Sequence, residues 1–465
     1  MIRTALAAAT LLASSPALAQ STTQDEIDAR YDRALAAGYK ALFLCGAVFN
    51  AERNGATRTP ESVEKWELSG IQAPLDTIVG DLRYSIDRKS IFDGQEPIHS
   101  VRVWWDEEMA PRIAIHNNEK GCFLTAMGGP QVPFVPPQVA SSAAREDSRA
   151  GSQLDARANE RIDEVAASAL GRESPYGDGT RTTAVLVQRD GNVLAQKYHP
   201  DFGWNVPQRT WSVAKSIAAT LLGTAVYRGE VAVEDSVGLG IGVLGEPRHA
   251  ISIDHAIRMA SGRYSDTPGN RTDALYFGGA TVTEVALDWP LVNAPGTVFR
   301  YANNDTLAAV QAVSEGFAEN PPSEFFAKIG MHHTVAESDW KGNYILSSQV
   351  WSTARDLAKL GQLYLDDGVL PDGTQILPEG WVEYVSTPSG PQPDGPFGYG
   401  AGFWLLNKSE GVPPDTIAAM GNRGQFIIIV PSLNVVIVRR GEDPVGSRFD
   451  IAAFTRDVLE SIKER

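Results

Sequence analysis

A serine and a lysine three positions apart open a long apolar stretch with helical spacing in the middle of the chain. Residues 210–216 read TWSVAKS, and apolar positions such as Ile217 and Leu221 follow at the spacing of one helix face. Because residues i and i+3 share a helix face, Ser212 and Lys215 are predicted to project together from the first turn. There the helix dipole favours developing negative charge, and a lysine shielded from water can act as a base. The pair could therefore be a nucleophile and its activating partner, although such a serine is more often only a helix cap.

A tyrosine and an asparagine separated by one residue occur further downstream, where residues 299–304 read FRYANN. The phenol of Tyr301 could relay protons beside the serine, and the amide of Asn303 could hold a substrate carbonyl or the lysine. Taken alone, Tyr301 could equally be an interior tyrosine and Asn303 a helix cap.

A glycine-bearing segment near the end of the chain, residues 418–425, reads AAMGNRGQ and runs into an apolar strand. Such a segment beside an edge strand can direct a backbone N–H at an oxyanion, with the N–H of Ser212 as the second donor. Its glycines could instead be ordinary turn glycines.

In this order, the three features resemble the serine β-lactamases, penicillin-binding proteins and related esterases, closest to class C β-lactamases. Residues 351–361 (WSTARDLAKLG), 377–381 (LPEGW) and 398–404 (GYGAGFW) are also similar to stretches of that family. The resemblance covers about residues 157–465. It implies an α+β, β-lactamase/transpeptidase-like fold, in which helices flank an antiparallel sheet and a mostly helical subdomain completes the domain.

The resemblance also implies a mechanism: acyl transfer with Ser212 as nucleophile, Lys215 as its activating partner and Tyr301 as proton shuttle, without metal or cofactor. Within the family, the chain is most similar to 6-aminohexanoate-dimer hydrolases and carboxylesterase-like proteins, which implies small amide or ester substrates. A β-lactamase or a D-amino-acid peptidase is the alternative inside the family. A non-catalytic binding or sensing module is the alternative of another class.

The third motif departs from the family pattern. Class C β-lactamases carry Lys-Thr-Gly there and many relatives carry a histidine, whereas residues 422–424 (NRG) or 416–418 (TIA) occupy that place here. The family lysine helps to bind the carboxylate of β-lactams, so its absence argues against antibiotic hydrolysis. Arg423 is expected either to supply a positive charge instead or to face solvent. The second oxyanion N–H is expected from Ala419 or Met420.

The N-terminal part divides into three predicted segments. Residues 1–19, with a basic start, an apolar stretch and a final ALA, are typical of a cleavable export signal and predict a periplasmic or secreted protein. Residues 24–127 predict a small, separate α+β unit that could form a lid or pocket wall. Its elements are a helix at 25–44 with Ile27 and Tyr31 on the apolar face, and strands at 100–105, 112–115 and 121–124. The Pro-rich, then Ser- and Ala-rich stretch 128–156 predicts a linker.

The large domain, residues 157–465, has strand patterns at both ends and helical patterns between them. This order predicts an antiparallel sheet assembled from both ends of the domain, with terminal helices on one face. The predicted elements are a helix at 160–170, a hairpin of 183–188 with 193–198, strands at 402–406, 426–430 and 435–439, and a helix at 450–463.

Composition and cysteine count exclude several function classes. The net charge of −16 and pI of about 5.0 argue against nucleic acid and anionic membrane surfaces as partners. No stretch predicts a membrane span, which needs about 20 apolar residues. The only two cysteines, Cys45 and Cys122, could pair in an oxidising compartment or remain two buried thiols. No metal site is predicted, and the sequence leaves the oligomeric state open.

Overall fold

The computed structural model describes residues 22–89, 98–129, 160–171, 173–240, 243–265, 272–388 and 390–463. The predicted signal peptide and the predicted linker beyond residue 129 lie outside these ranges. The described residues form an α+β structure, as predicted. The helices are α1 Gln24–Arg53, α2 Pro60–Trp66, α3 Leu75–Ile78, α4 Glu160–Ser168, α5 Val213–Tyr227, α6 Ile253–Ile257, α7 Asp273–Tyr276, α8 Val282–Val285, α9 Asn303–Ala312, α10 Pro322–Lys328, α11 Ala354–Leu365, α12 Trp381–Ser386 and α13 Ile451–Lys463.

The strands form three antiparallel sheets, which are a four-stranded sheet in order β1-β2-β3-β4, a seven-stranded sheet in order β10-β11-β12-β13-β14-β5-β6, and a small sheet β7-β9-β8. Their bounds are β1 Tyr84–Lys89, β2 Ile98–Val103, β3 Arg112–Asn117, β4 Gly121–Leu124, β5 Thr182–Arg189, β6 Asn192–Tyr198, β7 Gln208–Arg209, β8 Val335–Ala336, β9 Val350–Ser352, β10 Gly398–Tyr399, β11 Trp404–Leu405, β12 Ile417–Gly421, β13 Gln425–Val430 and β14 Val435–Gly441.

The seven-stranded sheet is built from both ends of the large domain, as predicted. The hairpin β5–β6 precedes the helical region, and β14 from the far end pairs with β5. Both faces of the central strands are buried: Ile427 packs with α5 and α11, whereas its neighbour Ile428 packs with α4 and α13. Burial on both faces explains why β13 is a continuous apolar run and does not alternate with polar residues.

Helix α1 is the central helix of the N-terminal part, and it differs from the prediction. It runs on to Arg53, and residues 34–51 are all buried, whereas Ile27 and Tyr31 are exposed. The buried stretch is apolar all round, as expected of a helix inside a core. Its length and composition would allow α1 to cross a membrane, but its apolar window is entirely buried in the fold, as in a core helix.

The packing of α1 contradicts the prediction of a separate N-terminal unit. Buried residues of α1 form one hydrophobic cluster with Trp211, Phe277 and Trp351 of the large domain. A Cβ on Gly46 would lie 2.4 Å from the Trp351 ring, so only glycine lets the helix backbone rest on this indole. The two parts therefore share a core. The pattern of apolar positions within α1 did not reveal which face would meet the large domain.

A disulfide joins α1 to the four-stranded sheet. Cys45 of α1 and Cys122 of β4 are bonded, with an Sγ–Sγ distance of 1.98 Å. The Cys122 N–H donates a hydrogen bond of 2.9 Å to Oε1 of Glu337, which belongs to the large domain. Burial raises the pKa of this carboxyl to about 7. The disulfide thus lies where the N-terminal sheet meets the large domain.

The pairing can be checked by counting thiols. The protein unfolded without reductant should show no free thiol, and reduction should release both cysteines. Because the bond closes a long loop, the double variant Cys45→Ala/Cys122→Ala should lose about 2–5 kcal/mol of unfolding free energy in denaturant titrations. Two free thiols before reduction would contradict the pairing.

Candidate active site

Ser212 lies at the N-terminal end of α5, where strand β7 turns sharply into the helix. Trp211, directly before it, has a left-handed φ of 51°, which is uncommon for a residue with a large side chain. Ser212 is the N-cap of the 15-residue helix and is partly exposed. Its hydroxyl is therefore accessible at the positive end of a helix dipole, where developing negative charge is stabilised.

Lys215 follows one turn later and directs its amine back to the serine. Its Nζ lies 3.0 Å from Ser212 Oγ, 2.6 Å from Asn303 Oδ1 and 3.0 Å from the carbonyl oxygen of Ser347, while the residue is only 2% exposed. An ammonium can donate to all three oxygens. A neutral amine can instead donate to Asn303 and Ser347 and accept the Ser212 proton. The arrangement thus accommodates the lysine before and after a proton transfer from Ser212.

Asn303 is held in place from the far side of its amide. It is the first residue of α9, and its Nδ2 donates a hydrogen bond of 2.9 Å to Thr272 Oγ1. This bond fixes which end of the amide faces Lys215, so the carbonyl oxygen is the acceptor. The structure therefore brings Asn303 to the lysine, one of the two positions expected from the sequence.

Tyr301 forms one wall of the site within an aromatic group. Its ring stacks on Trp404 at 5.3 Å between centroids and meets Tyr399 edge-on at 6.0 Å. Phe299 also packs on Tyr399, at 5.5 Å between ring centroids. Lys215 Nζ lies 4.9 Å from the centroid of the Tyr301 ring. The tyrosine is thus positioned beside the lysine by apolar contacts from β10 and β11.

Gly421, the last residue of β12, lies directly against the serine. A Cβ at this position would lie 2.3 Å from the carbonyl oxygen of Thr210 and 3.1 Å from the backbone N of Ser212. Only glycine allows the two backbones to approach so closely. Gly421 is therefore required by this contact and is not an ordinary turn glycine.

The direction of the backbone groups along β12 distinguishes the two predicted oxyanion donors, Ala419 and Met420. Leu406 N–H donates to the Thr416 carbonyl at 3.0 Å, so Thr416 and alternate residues up to Met420 face β11, whereas Ala419 faces β13. The Ala419 N–H is thus directed into the sheet. Asn422 follows Gly421 directly, in the turn after β12, so its backbone N is bonded to the residue that contacts the serine. The alternation therefore directs the Met420 N–H, and not the Ala419 N–H, away from β13.

Arg423 neither lines the site nor faces solvent, in contrast to both expectations. It is 5% exposed, and its Nε bonds Glu442 at 2.7 Å. Its Nη2 donates to the carbonyl oxygens of Trp66 and Ser69 in the N-terminal part, at 2.8 and 3.0 Å. The guanidinium ties the turn after β12 to the α2 region, so it is not available to a substrate.

Two residues of the site were missed by sequence reasoning: Thr272 and Ser347. Thr272 and Ser347 lie in loops without a recognisable motif, and only the folded chain brings them to Asn303 and Lys215. Among the described residues, no group of three or more His, Cys, Asp or Glu side chains could hold a metal ion.

Comparison with known proteins identifies the family of the chain. Residues 169–456, more than half of the chain, match the family model described as Beta-lactamase. The chain is also similar to the 6-aminohexanoate-dimer hydrolase of Paenarthrobacter ureafaciens, with 26% identity over 303 residues that cover 57% of this chain and 74% of that protein.

Solved structures agree in fold. A provisionally named 6-aminohexanoate-dimer hydrolase from Bacillus anthracis has a TM-score of 0.51 at 19% identity, covering 60% of this chain and 78% of its own. A provisionally named β-lactamase from Bacteroides dorei has a TM-score of 0.52 at 19% identity, covering 65% and 98%. These likenesses confirm the predicted β-lactamase/transpeptidase-like fold. With the family match and the curated relative, they identify the chain as a hydrolase that belongs to the beta-lactamase family.

Proposed function

We propose that this hydrolase cleaves amide or ester bonds of small substrates through an acyl-serine intermediate, with Ser212 as nucleophile. The observation that carries the proposal is the 3.0 Å contact between Lys215 Nζ and Ser212 Oγ in the first turn of α5. A serine becomes nucleophilic when a neighbouring base takes its proton. Here the candidate base is buried and already hydrogen-bonded to two other oxygens, so its orientation is fixed before substrate binds.

The proposed reaction has two stages. Lys215, assisted by Tyr301, takes the Ser212 proton as Oγ attacks the substrate carbonyl carbon. The N–H groups of Ser212 and Asn422 stabilise the oxyanion. Tyr301 then gives a proton to the leaving amine or alcohol as the bond to the carbonyl breaks. Water attacks the acyl-serine by the reverse of these proton transfers and releases the acid. No step in this scheme calls for a metal or cofactor.

The substrate class follows from the walls of the site. Strand β12, Ile417–Gly421, carries no charged side chain, and Arg423 is bound to Glu442 and to the N-terminal part. Recognition of a carboxylate from this strand, as a β-lactam would need, is therefore not favoured. Tyr301 and Trp404 offer an apolar surface instead. A short linear amide or ester whose acyl part packs on this surface is the proposed substrate, with any terminal carboxylate bound away from β12. The curated relative, a 6-aminohexanoate-dimer hydrolase, supports a linear amide.

We also infer that the protein is exported to the periplasm or secreted. Residues 1–19 are typical of a cleavable signal. A disulfide between the only two cysteines is typical of an oxidising compartment.

Replacing the nucleophile tests the function directly. The mature protein should turn over p-nitrophenyl acetate, p-nitrophenyl butyrate or a linear 6-aminohexanoate dimer, and Ser212→Ala should lower turnover by at least about a thousandfold. Unchanged thermal unfolding should accompany the loss. Wild-type activity in Ser212→Ala would contradict the assignment. Turnover of nitrocefin, assayed in parallel, would move the protein towards the β-lactamases.

Tyr301→Phe tests the proton shuttle. Because an amine leaving group needs protonation and a nitrophenolate does not, kcat on the amide dimer should fall by about 10²–10⁴-fold, and kcat on the nitrophenyl esters much less. Tyr227→Phe, at the exposed far end of α5, serves as the matched control and should leave both unchanged. Equal small losses on amide and ester would contradict the shuttle role.

Gly421→Ala tests the contact beside the oxyanion site. The added methyl would meet the Thr210 carbonyl and the Ser212 N–H, so one of the two backbones must move and misalign the donors. We expect kcat to fall about 10²-fold or more. Gly80→Ala is the control, since a Cβ there meets nothing within 4 Å. Full activity of Gly421→Ala would argue against the proposed oxyanion geometry.

A further inference from the structure

A buried arginine lies three positions before the nucleophile and is surrounded by aromatic rings. Arg209 is 2% exposed and ends strand β7. Its guanidinium carbon lies 4.3 to 5.6 Å from the ring centroids of four residues, Phe43, Trp211, Tyr276 and Phe277. We call this group the Arg209 cage. Three of its rings belong to the large domain, but Phe43 belongs to helix α1.

The same arginine is connected to the acceptor of Lys215. Arg209 Nη2 donates a hydrogen bond of 2.8 Å to Ser348 Oγ, and the preceding residue, Ser347, offers its carbonyl oxygen to Lys215 Nζ. Tyr276, a ring of the cage, shares a hydrogen bond of 2.7 Å with Ser347 Oγ. Arg209 and Tyr276 thus fix Ser348 and Ser347 by hydrogen bonds. The Ser347 carbonyl in turn binds Lys215.

Phe43 packs against Trp211, the residue directly before the serine. Its ring lies 5.7 Å from Trp211 and 6.0 Å from Trp351, both almost completely buried. Trp211 has a left-handed backbone, with a φ of 51°. Such a conformation persists in a bulky residue only when its surroundings fix it. Phe43 and the Arg209 guanidinium cover the Trp211 ring and supply that constraint.

We propose that Phe43 and Arg209 are positioning residues for acylation, and that helix α1 is consequently part of the active-site scaffold. The inference rests on the proposed role of Ser212 as nucleophile. Neither side chain touches the reacting atoms. Arg209 fixes the Ser347 carbonyl that orients Lys215, and both residues fix the Trp211 conformation that sets the direction of Ser212.

The first experiment compares two phenylalanines of the same helix. Phe43→Leu keeps an apolar side chain but removes the ring contacts with Trp211 and Trp351. Phe49→Leu is the matched control, because Phe49 is equally buried but packs on His99 and His116 of the N-terminal part. The readout is the rate at which a fluorophosphonate labels Ser212, measured far below the midpoint of thermal unfolding. We expect about a tenfold to hundredfold lower rate for Phe43→Leu and an unchanged rate for Phe49→Leu.

The second experiment addresses Arg209 independently. Arg209→Met should lower the labelling rate and the kcat for nitrophenyl esters by a similar factor, with KM unchanged, because substrate contacts remain. Arg209→Lys keeps the charge without the planar fork and should recover only part of the rate. Arg112→Met is the control: Arg112 is 1% exposed and bonds the Thr125 carbonyl in the N-terminal part. It should lose stability without losing rate.

The outcomes separate the two proposals. If wild type is labelled, and folded Phe43→Leu and Arg209→Met are labelled at the same rate, the positioning role is overturned. The proposed function then stands. An equal loss in the Phe49→Leu and Arg112→Met controls also overturns it, because it would reflect general loosening. Wild type that neither labels nor turns over substrate overturns the proposed function and this inference with it. Since the two positions are tested separately, a variant that fails to fold leaves the other decisive.

Discussion

The buried amine of Lys215 is the constraint on which the site depends. A buried cation is costly unless oxygen atoms surround it, and here they come from Ser212 at the start of α5, Asn303 at the start of α9 and Ser347 between β8 and β9. No single element supplies more than one of them. The amine is therefore satisfied only when these three parts of the chain have docked, which couples the completion of the fold to the formation of the proposed catalytic pair.

Docking at the required distance depends on two glycines that approach α5 and the segment before it. A Cβ on Gly402 would lie 2.6 Å from Ala219 Cβ, and a Cβ on Gly421 would lie 2.3 Å from the Thr210 carbonyl oxygen. The hydroxyl of Ser216 also donates a hydrogen bond of 2.7 Å to the Gly402 carbonyl. Gly402 thus packs on α5 one to two turns after the serine, and Gly421 packs on the backbone directly before it. Side chains in these places would push the strand edge away from the helix and open the site.

Much of this could be predicted from sequence, because the signals are local. In the structure, Ser212 and Lys215 lie one turn apart at the start of a single helix, and the apolar runs form the strands of the sheet, as predicted. Two kinds of feature could not be predicted. The partners of Arg423 lie more than three hundred and fifty positions away at Trp66 and Ser69, so nothing near Arg423 indicates its burial. The buried face of α1 was also hidden, since a helix that is apolar all round does not reveal which neighbour each face will meet.

The burial of Arg423 against the N-terminal part affects which charges remain near the site. Burial is the strongest single influence and disfavours its charge, but Glu442, Tyr39 and Glu67 together outweigh burial, so the pKa of Arg423 is raised. The charge is thus retained, but it is used to hold the α2 region against the turn after β12. In class C β-lactamases this part of the strand carries a cation for the substrate carboxylate. Here the N-terminal part binds Arg423, the only cationic residue of the turn at residues 422–424. The strand edge that remains offers backbone N–H groups without a charge. Under the proposed function, selectivity at this edge comes from the aromatic wall and from hydrogen bonds to the substrate carbonyl.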